Sequence, residues 1–457
     1  MSTGAASDRG GAGDPGGAPE VAIAGAPLGE AAAAAIGASE SLRTPAEPGA
    51  TDDAPSLAAN RDFKIVLAGQ SISALGDAVS FTAVPLLVLA LTGSGVAMGT
   101  VGALQTLPDL ILGLPAGALA DRWDRRKMMF WADLGRALLT ALIPLAVLFH
   151  WDTMAVLLIV TAPINALRVM FLAAWTGAIP SLVGRSQVGR ANGYSEAILS
   201  LSFIVGPSIA GILVGIIGPR ETLAVDAVSF LISAASLTLV RRPLQKGRTG
   251  PPTHLVAEIA EGLRYIVHQP TLRTVILYWS LVSVISASLV NAVIFMLRVE
   301  QGLSAGVLGL VLSGYGIGYT VGAVLAGRFA KGRLGLFMLG ANTLSAAWLL
   351  VFVLVQHPVA QTISAIGAGM SGALVLISYI TMRATIPPDH LLGRVGSTAR
   401  MLSLGLSPIG VLAGGVLLDT IGGQETMLLI AAAMVVLSAL FAFSPIMRHA
   451  VAADGRH

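Results

Sequence analysis

Three ionisable side chains interrupt long apolar stretches of this sequence, namely Asp77, Asp109 and Arg168. Asp109 lies twelve residues before Asp121, which places it about 18 Å along a helix that rises about 1.5 Å per residue. A carboxyl group at that depth can bind and release a proton, because burial disfavours its charged form, or it can hold a polar group of a bound molecule. We therefore predict a cavity for protons and substrate at these residues.

Four other charged residues lie inside or beside apolar stretches. Asp133 and Arg136 are three residues apart, a spacing that favours a local salt bridge on one helix face. Asp226 and Glu196 stand within a turn or so of the predicted helix ends, so we expect them at a membrane interface.

The common catalytic and cofactor signatures are missing from the sequence. It contains no G-x-x-x-x-G-K-[ST] phosphate loop, no G-x-S-x-G and no H-E-x-x-H. It has no cysteine, which excludes disulfides and thiolate metal sites, and its seven histidines fall at loops, helix ends or the tail. Without a basic run, nucleic-acid binding is not supported. We predict neither enzyme activity nor a cofactor.

The composition is that of a polytopic membrane protein, with 54% hydrophobic and 12% charged residues. Twelve apolar stretches are each long enough to cross a bilayer. They are Lys64–Leu91, Gly99–Ala120, Met128–Phe149, Met154–Leu182, Asn192–Ile217, Thr222–Val240, Leu272–Leu297, Ala305–Lys331, Leu334–Val355, Val359–Ile386, Arg394–Thr420 and Gln424–Met447. We predict an all-α membrane protein.

The remaining segments divide the chain. Residues 1–60, rich in Ala, Gly and Pro, predict a disordered cytoplasmic tail, and no cleavable signal is recognised. Six helices fall in 61–240 and six in 272–447. The segment 241–271 predicts a cytoplasmic loop with an amphipathic helix, and 448–457 a cytoplasmic C-terminal tail.

Two features predict the orientation and the symmetry of the bundle. Loops on one side carry nearly all the basic residues, whereas the other side has only Arg220 and Arg298, so both termini are predicted in the cytoplasm. Residues 179–218 and 386–422 both contain Ile-Pro, Gly-Arg, a small-residue helix with an internal Pro and a Gly-rich end. This repeat predicts two pseudo-symmetric halves of six helices.

The loop after the second stretch, GALADRWDRRK, resembles a signature of the major facilitator superfamily. The signature G-x-L-x-D-R-x-x-R-R is filled by Gly117, Leu119, Asp121, Arg122, Arg125 and Arg126, whereas Asp124 stands where Gly is common. Gly117 is expected to let two helices approach closely. The loop is then either a latch between the two halves or only a positively charged membrane anchor.

Two further stretches are similar to the branch of this superfamily that contains macrolide-efflux proteins and the enterobactin exporter. They are DFKIVLAGQSISALGDAVSFTAVPLLVLALTGS and EGLRYIVHQPTLR. Gly206, Pro207 and Gly211 resemble the fifth-helix signature of its antiporters, although Gly packing alone would also explain them. The resemblance implies that Asp77 and Arg168 line one cavity and pair there, for coupling or for structure. Asp109 departs from the uncharged residue expected.

The predicted function is therefore a proton-coupled antiporter that exports a small amphipathic compound, such as an antibiotic, a siderophore or another secondary metabolite. An importer or uniporter on the same fold and a non-transporting membrane sensor are the alternatives. We expect a monomeric, multi-pass protein of the cell membrane whose partners are the cargo molecule, protons and the lipid bilayer.

Overall fold

The computed structural model describes residues 56–245, 255–329, 332–388 and 391–450. These ranges are nearly all helical, and twelve of their helical segments are long and apolar enough to cross a membrane, which confirms the predicted fold class. The predicted tail up to residue 55, part of the central loop and residues 451–457 lie outside the described ranges.

The first half contains six spanning helices. They are α1 (Arg61–Thr92), α2 (Gly95–Arg122), α3 (Arg125–Leu148), α4 (Thr153–Val183), α5 (Val188–Ile217) and α6 (Pro219–Thr238). Short polar residues cap several of them and keep the turns tight. Asp124 accepts a hydrogen bond from the Lys127 amide at 2.8 Å, so an acid in place of the signature's Gly serves as the N-cap of α3.

The second half follows a helix in the predicted central segment, α7 (Leu255–His268). Its elements are α8 (Pro270–Ser286), α9 (Leu289–Phe295) with a π-helical turn (Met296–Glu300), α10 (Ala305–Phe329), α11 (Leu334–Leu354), α12 (Pro358–Thr385), α13 (Leu392–Leu404), α14 (Ser407–Ile421), α15 (Gly423–Ala442) and α16 (Pro445–His449). The seventh and eleventh spans are each divided into two helices. Pro408 near the start of α14 explains the second division, because proline cannot continue a helix in its interior.

The two halves meet along two seams, α5 with α10 and α2 with α14. Glycines make both seams possible. A Cβ on Gly309 would lie 2.4 Å from the carbonyl oxygen of Pro207, and one on Gly415 would lie 2.6 Å from that of Gly95. Across the α5–α10 seam the hydroxyls of Ser208 and Ser313 are 2.8 Å apart. The halves therefore touch through backbone and small side chains.

The bundle is closed at one end and parted at the other. We call the end with the Trp123–Asp124 turn the basic end and the end with the Gly93–Ser94 turn the far end. Towards the far end, one hydrophobic cluster contains residues of both halves, including Leu87, Met98, Ile294 and Met427. Towards the basic end, each half has its own cluster. The buried core is thus continuous only towards the far end.

Enlarging Gly415 should force the far end open. In Gly415→Val the new side chain meets the backbone of Gly95 and Gly99, so α2 and α14 must separate. Spin labels on Trp151→Cys and Val359→Cys, two exposed far-end sites on opposite halves, should move apart. The chain has no cysteine of its own, so labelling is confined to these sites.

Gly340→Val is the matched control, because no atom lies within 4 Å of its added Cβ. The seam assignment would be wrong if Gly415→Val left the distance distribution between the labels as it is in the parent protein.

Candidate functional site

A cavity of about 540 Å³ lies between the two halves, within the size range of small-molecule sites. The first half contributes its charged side chains, including Asp77, Asp109, Arg136, Arg168 and Asp226. The second half contributes mostly aliphatic and small polar side chains, together with Arg383, Arg400 and a group of aromatic rings that includes Trp279, Tyr315, Tyr319 and Tyr379. Among the described residues, the carboxylates that line the cavity therefore all belong to the first half, which we call the polar wall, and we call the rings of Trp279, Tyr315, Tyr319 and Tyr379 in the second half the aromatic wall.

Asp109 on α2 and Arg168 on α4 form an ion pair in the polar wall. Arg168 Nη2 donates to both carboxylate oxygens of Asp109, at 2.9 and 2.6 Å, and Arg168 Nε donates to Asn165 Oδ1 at 3.3 Å. Both charged side chains are about one-fifth exposed. Asp109 is thus held as the counter-ion of Arg168, which lies 59 residues away in the sequence.

Asp77 pairs with a different arginine from the one predicted. Its Oδ1 accepts a hydrogen bond from Arg136 Nη2 on α3, whereas Arg168 is bound to Asp109. The predicted Asp77–Arg168 pair is therefore corrected by the geometry. Arg136 also has Asp133 at 3.6 Å, as the local spacing predicts, and its guanidinium carbon lies 3.9 Å from the ring centre of Phe230.

Asp226 and Glu196, expected at the membrane interface, are buried within the bundle. Asp226 is 3% exposed and interacts with the hydroxyls of Ser80 on α1 and Ser229 on α6. Glu196 is also buried, and its Oε2 has no hydrogen-bond partner among the residues described. Position along a helix gave no information on which face of that helix these acids occupy.

The aromatic wall is a feature that sequence reasoning missed. Trp279 on α8 and Tyr379 on α12 stack with ring centres 5.1 Å apart and planes 16° apart. Tyr315 and Tyr319, one turn apart on α10, lie beside each other with ring centres at 6.4 Å. The i, i+4 spacing of these tyrosines was the available signal, but the partner of Trp279 lies a hundred residues away in sequence.

The charged loop at the basic end makes its contacts within the first half. Asp121 and Arg125 form an ion pair at 3.1 Å, and Arg125 donates to the Gly177 carbonyl on α4. Arg126 donates to the carbonyls of Leu237 and Thr238 at 2.8 and 2.6 Å. All of these contacts lie within the first half.

Two other residues of that loop are placed as follows. Arg122 is exposed at the C-terminal end of α2. Gly117 has open space where a Cβ would stand. The predicted close approach of two helices at Gly117 is therefore absent from this structure, because the two halves are parted at the basic end.

The fifth-helix residues divide between two neighbours. A Cβ on Gly211 would lie 2.3 Å from the carbonyl oxygen of Ala305 in the second half, and the Pro207 carbonyl faces Gly309 across the same seam. Gly206 instead faces Ala78 on α1. Pro207 and Gly211 therefore belong to the seam between the halves, and Gly206 to the packing of the first half.

Comparisons with known proteins agree with this architecture. The model of the Major Facilitator Superfamily matches residues 66–395. The multidrug efflux pump Tap of Mycolicibacterium fortuitum is 29% identical over 402 residues, covering 84% of this chain and 96% of that protein. Macrolide efflux protein A of Streptococcus pyogenes is 24% identical and covers 80% and 92% of the two chains.

Among solved structures, a bacterial homologue of the human lysosomal transporter Spinster, in an inward-facing and unoccupied conformation, has the same fold. It aligns with a TM-score of 0.64 at 15% identity, covering 85% of this chain and 98% of the other.

The two ion pairs can be separated by a double-mutant cycle. Asp109→Asn should lower the stability in detergent by about 2 kcal/mol, because it leaves Arg168 without its counter-ion. Asp109→Asn with Arg168→Gln should cost less than the sum of the single changes. Asp77→Asn with Arg168→Gln should be additive, since these two residues are not partners. Melting temperatures of the three single and two double variants measure both cycles, and strong coupling between Asp77 and Arg168 would contradict the pairing.

Proposed function

Because the chain belongs to the major facilitator superfamily of membrane transporters, we propose that it exports small amphipathic compounds in exchange for protons. It is a multi-pass membrane transporter and not an enzyme. The observation that carries the proposal is the central cavity, where charged side chains of the first half face an aromatic wall of the second.

The two walls support an amphipathic cargo. Aromatic faces bind flat apolar groups, and the stacked pair of Trp279 and Tyr379 offers such a surface. Across the cavity, Asp77 and Asp109 can accept hydrogen bonds from a polar or cationic group. A compound with both kinds of group satisfies both walls, as an antibiotic, a siderophore or another secondary metabolite does.

The closed far end and parted basic end support alternating access. With the basic end in the cytoplasm, as the positive charges of its loops favour, the cavity is reached from inside the cell. Opening towards the outside then requires the seams at Gly309 and Gly415 to separate. In the opposite state the loop of Gly117, Asp121, Arg122, Arg125 and Arg126 can latch the halves at the basic end.

The direction of transport is inferred from relatives and from the fifth helix. The two curated relatives are named as efflux proteins, and the chain covers 96% and 92% of their lengths. Gly206, Pro207 and Gly211 resemble the antiporter-like signature. Energy from a proton gradient fits a sequence without a phosphate loop, with Asp77, Asp109 and Arg168 as the first candidates for coupling. We propose a monomer in the cell membrane with both termini in the cytoplasm.

Everted membrane vesicles test the function. With ethidium and erythromycin as probes, energised vesicles containing the protein should accumulate at least one of them. A protonophore should abolish the accumulation, whereas vanadate should leave it intact, because the sequence contains no G-x-x-x-x-G-K-[ST] phosphate loop. Asp77→Asn and Asp109→Asn should each reduce accumulation by about tenfold or more if their carboxyl groups act in coupling.

In liposomes, adding the probe should change the internal pH in the direction expected for exchange of the probe against protons. A change in the opposite direction would identify an importer. A non-transporting sensor would be favoured if neither probe moved and if cells with the cavity variants grew like cells with the parent protein.

The aromatic wall gives a separate prediction. Trp279→Ala should raise the ethidium concentration needed for half-maximal transport by roughly fivefold or more, since an aromatic contact contributes about 1 kcal/mol beyond its buried area. Trp131→Ala is the control, because Trp131 lies on α3 with 64% of its surface exposed. Equal effects of the two changes would contradict a role of the aromatic wall in binding.

A further inference from the structure

Two arginines of the second half line the cavity and have no role in the function proposed above. Arg383 lies in the last turn of α12, and Arg400 lies in α13. The carboxylates among the described lining residues, by contrast, all belong to the first half. A guanidinium group does not lose its proton in a protein, so its positive charge is permanent. The second half therefore presents fixed positive charge to the cavity.

The two arginines lie at the same face of α13. Arg383 Nη1 donates to the carbonyl oxygen of Gly396 at 3.5 Å and so reaches from α12 to α13. Gly396 and Arg400 are four residues apart on α13, which places them on one face of that helix. A Cβ on Gly396 would meet no atom within 4 Å, so there is open space beside this face. We call Arg383 and Arg400 the arginine pair.

The arginine pair adjoins the stacked rings of the aromatic wall. Arg383 follows Tyr379 by one turn of α12, and its guanidinium carbon lies 5.6 Å from the centre of the Tyr379 ring. The Tyr379 hydroxyl is 3.0 Å from that of Ser403, which follows Arg400 by three residues on α13. Trp279 stacks on Tyr379. A flat group bound at these rings therefore lies beside two positive charges.

Arg383 is deeply buried, at 5% exposure. Among the residues described, no carboxylate lies within salt-bridge distance of it, and Asp77 and Asp109 are bound to arginines of their own half. Its hydrogen bond to the Gly396 carbonyl uses one of five N–H donors. The other donors are not among the fully enclosed atoms, so they open on the cavity. Because a buried guanidinium is costly without compensation, an anion in the cavity would be stabilised there.

A purely structural role accounts for only part of this arrangement. A basic residue in the last turn of a helix, such as Arg383, interacts favourably with the helix dipole, but Arg400 is not in the last turn of α13. A positively charged membrane anchor describes Arg394 better, since that side chain is 37% exposed and pairs with Glu261 on α7. Neither explanation covers two arginines that line one side of the cavity.

We propose that Arg383 and Arg400 bind a carboxylate of the cargo while Trp279 and Tyr379 hold an aromatic ring beside it. The inference rests on the proposed transport of amphipathic compounds and narrows the cargo to aromatic molecules that carry a carboxylate. Two guanidinium groups can donate several charge-assisted hydrogen bonds to one carboxylate. A lipid phosphate is also an anion, but its acyl chains have no flat ring to place on the stack.

The polar wall extends this charge pattern across the cavity. Asp77 and Asp109 line the first half and can accept hydrogen bonds from a cationic group. A molecule with a carboxylate at one end and a positive charge at the other then matches both walls. The expected cargo is therefore an aromatic zwitterion.

A matched pair of dyes tests the arginine pair. Rhodamine B has a flat cationic ring system and a free carboxylate, whereas its ethyl ester has the same rings without the negative charge. Binding of each dye to the purified protein in an uncharged detergent is measured by fluorescence anisotropy, with protein-free micelles as the reference. The wild-type protein should bind rhodamine B about tenfold more tightly than the ester, because a hydrogen bond to a charged group is the stronger kind.

Substitutions then locate the preference. Arg383→Gln and Arg400→Gln should each bring the dissociation constants of the two dyes to within about threefold of each other. Binding of the ester by the same variants shows that their cavity is intact, and the wild-type preference is measured without any variant. Arg394→Gln is the matched control, because it removes the same charge from an exposed position of α13. It should keep the wild-type preference.

The contrary outcomes are distinct. Equal affinity of the wild-type protein for the two dyes, no binding of rhodamine B, or a preference that survives in both variants would overturn the carboxylate site. Equal loss of both dyes in the variants would assign the arginines a structural role instead. Displacement of rhodamine B by added phosphatidylglycerol would assign the pair to a lipid headgroup.

Transport is measured separately with the same dyes in energised everted vesicles. Wild-type protein that binds rhodamine B with the expected preference but moves neither dye would contradict the proposed transport and leave the binding site in place. Wild-type protein that transports both dyes and binds them with equal affinity would contradict only the carboxylate site.

Discussion

The cost of placing charged side chains inside a lipid-embedded bundle organises the first half of this protein. Asp109 and Arg168 tie α2 to α4, Asp77 and Arg136 tie α1 to α3, and Ser233 joins Asp133 to α6. Buried ion pairs contribute little net stability when compared with apolar packing, because each ion must be desolvated. Within the bundle, these pairs determine which helices are tied together by side chains.

The seams between the halves consist of backbone and small polar contacts instead of buried ion pairs. Glycine backbones and the Ser208–Ser313 pair make the close contacts between α5 and α10. Between α2 and α14, Asp419 accepts hydrogen bonds from the Ser94 hydroxyl at 2.6 Å and the Val96 amide at 3.0 Å. At the end of a span, water can replace such polar contacts when the halves part, whereas interlocked large side chains would have to repack. A movable interface and a charged, firmly tied half are complementary requirements of alternating access.

The sequence predicted the helices far better than their partners. Apolar length placed the fourth span at Met154–Leu182, against Thr153–Val183 in the structure, because lipid thickness and N-caps such as Asp152 set helix ends locally. The partner of Asp109 could not be predicted, since a span's pattern gives depth in the membrane and not the identity of the adjacent helix. For Asp226 a signal did exist. Ser229, Ser233 and Ser236 continue a polar stripe at i+3, i+7 and i+10, which is typical of a face turned inward.

The two halves resemble each other in sequence but place different side chains at the cavity. The two halves share one scaffold, yet the charged pairs lie in the first and the stacked aromatic rings of Trp279 and Tyr379 in the second. Symmetry of the backbone allows the halves to rock about a common cavity, and the asymmetry of side chains gives each half its own task. A molecule that spans the cavity contacts both walls. Its binding therefore depends on the arrangement of the charged helices in the first half as well as on the aromatic rings of the second. A rearrangement of the ties between the helices of the first half would therefore alter part of the surface that such a molecule contacts, while the rings of the second half stay in place.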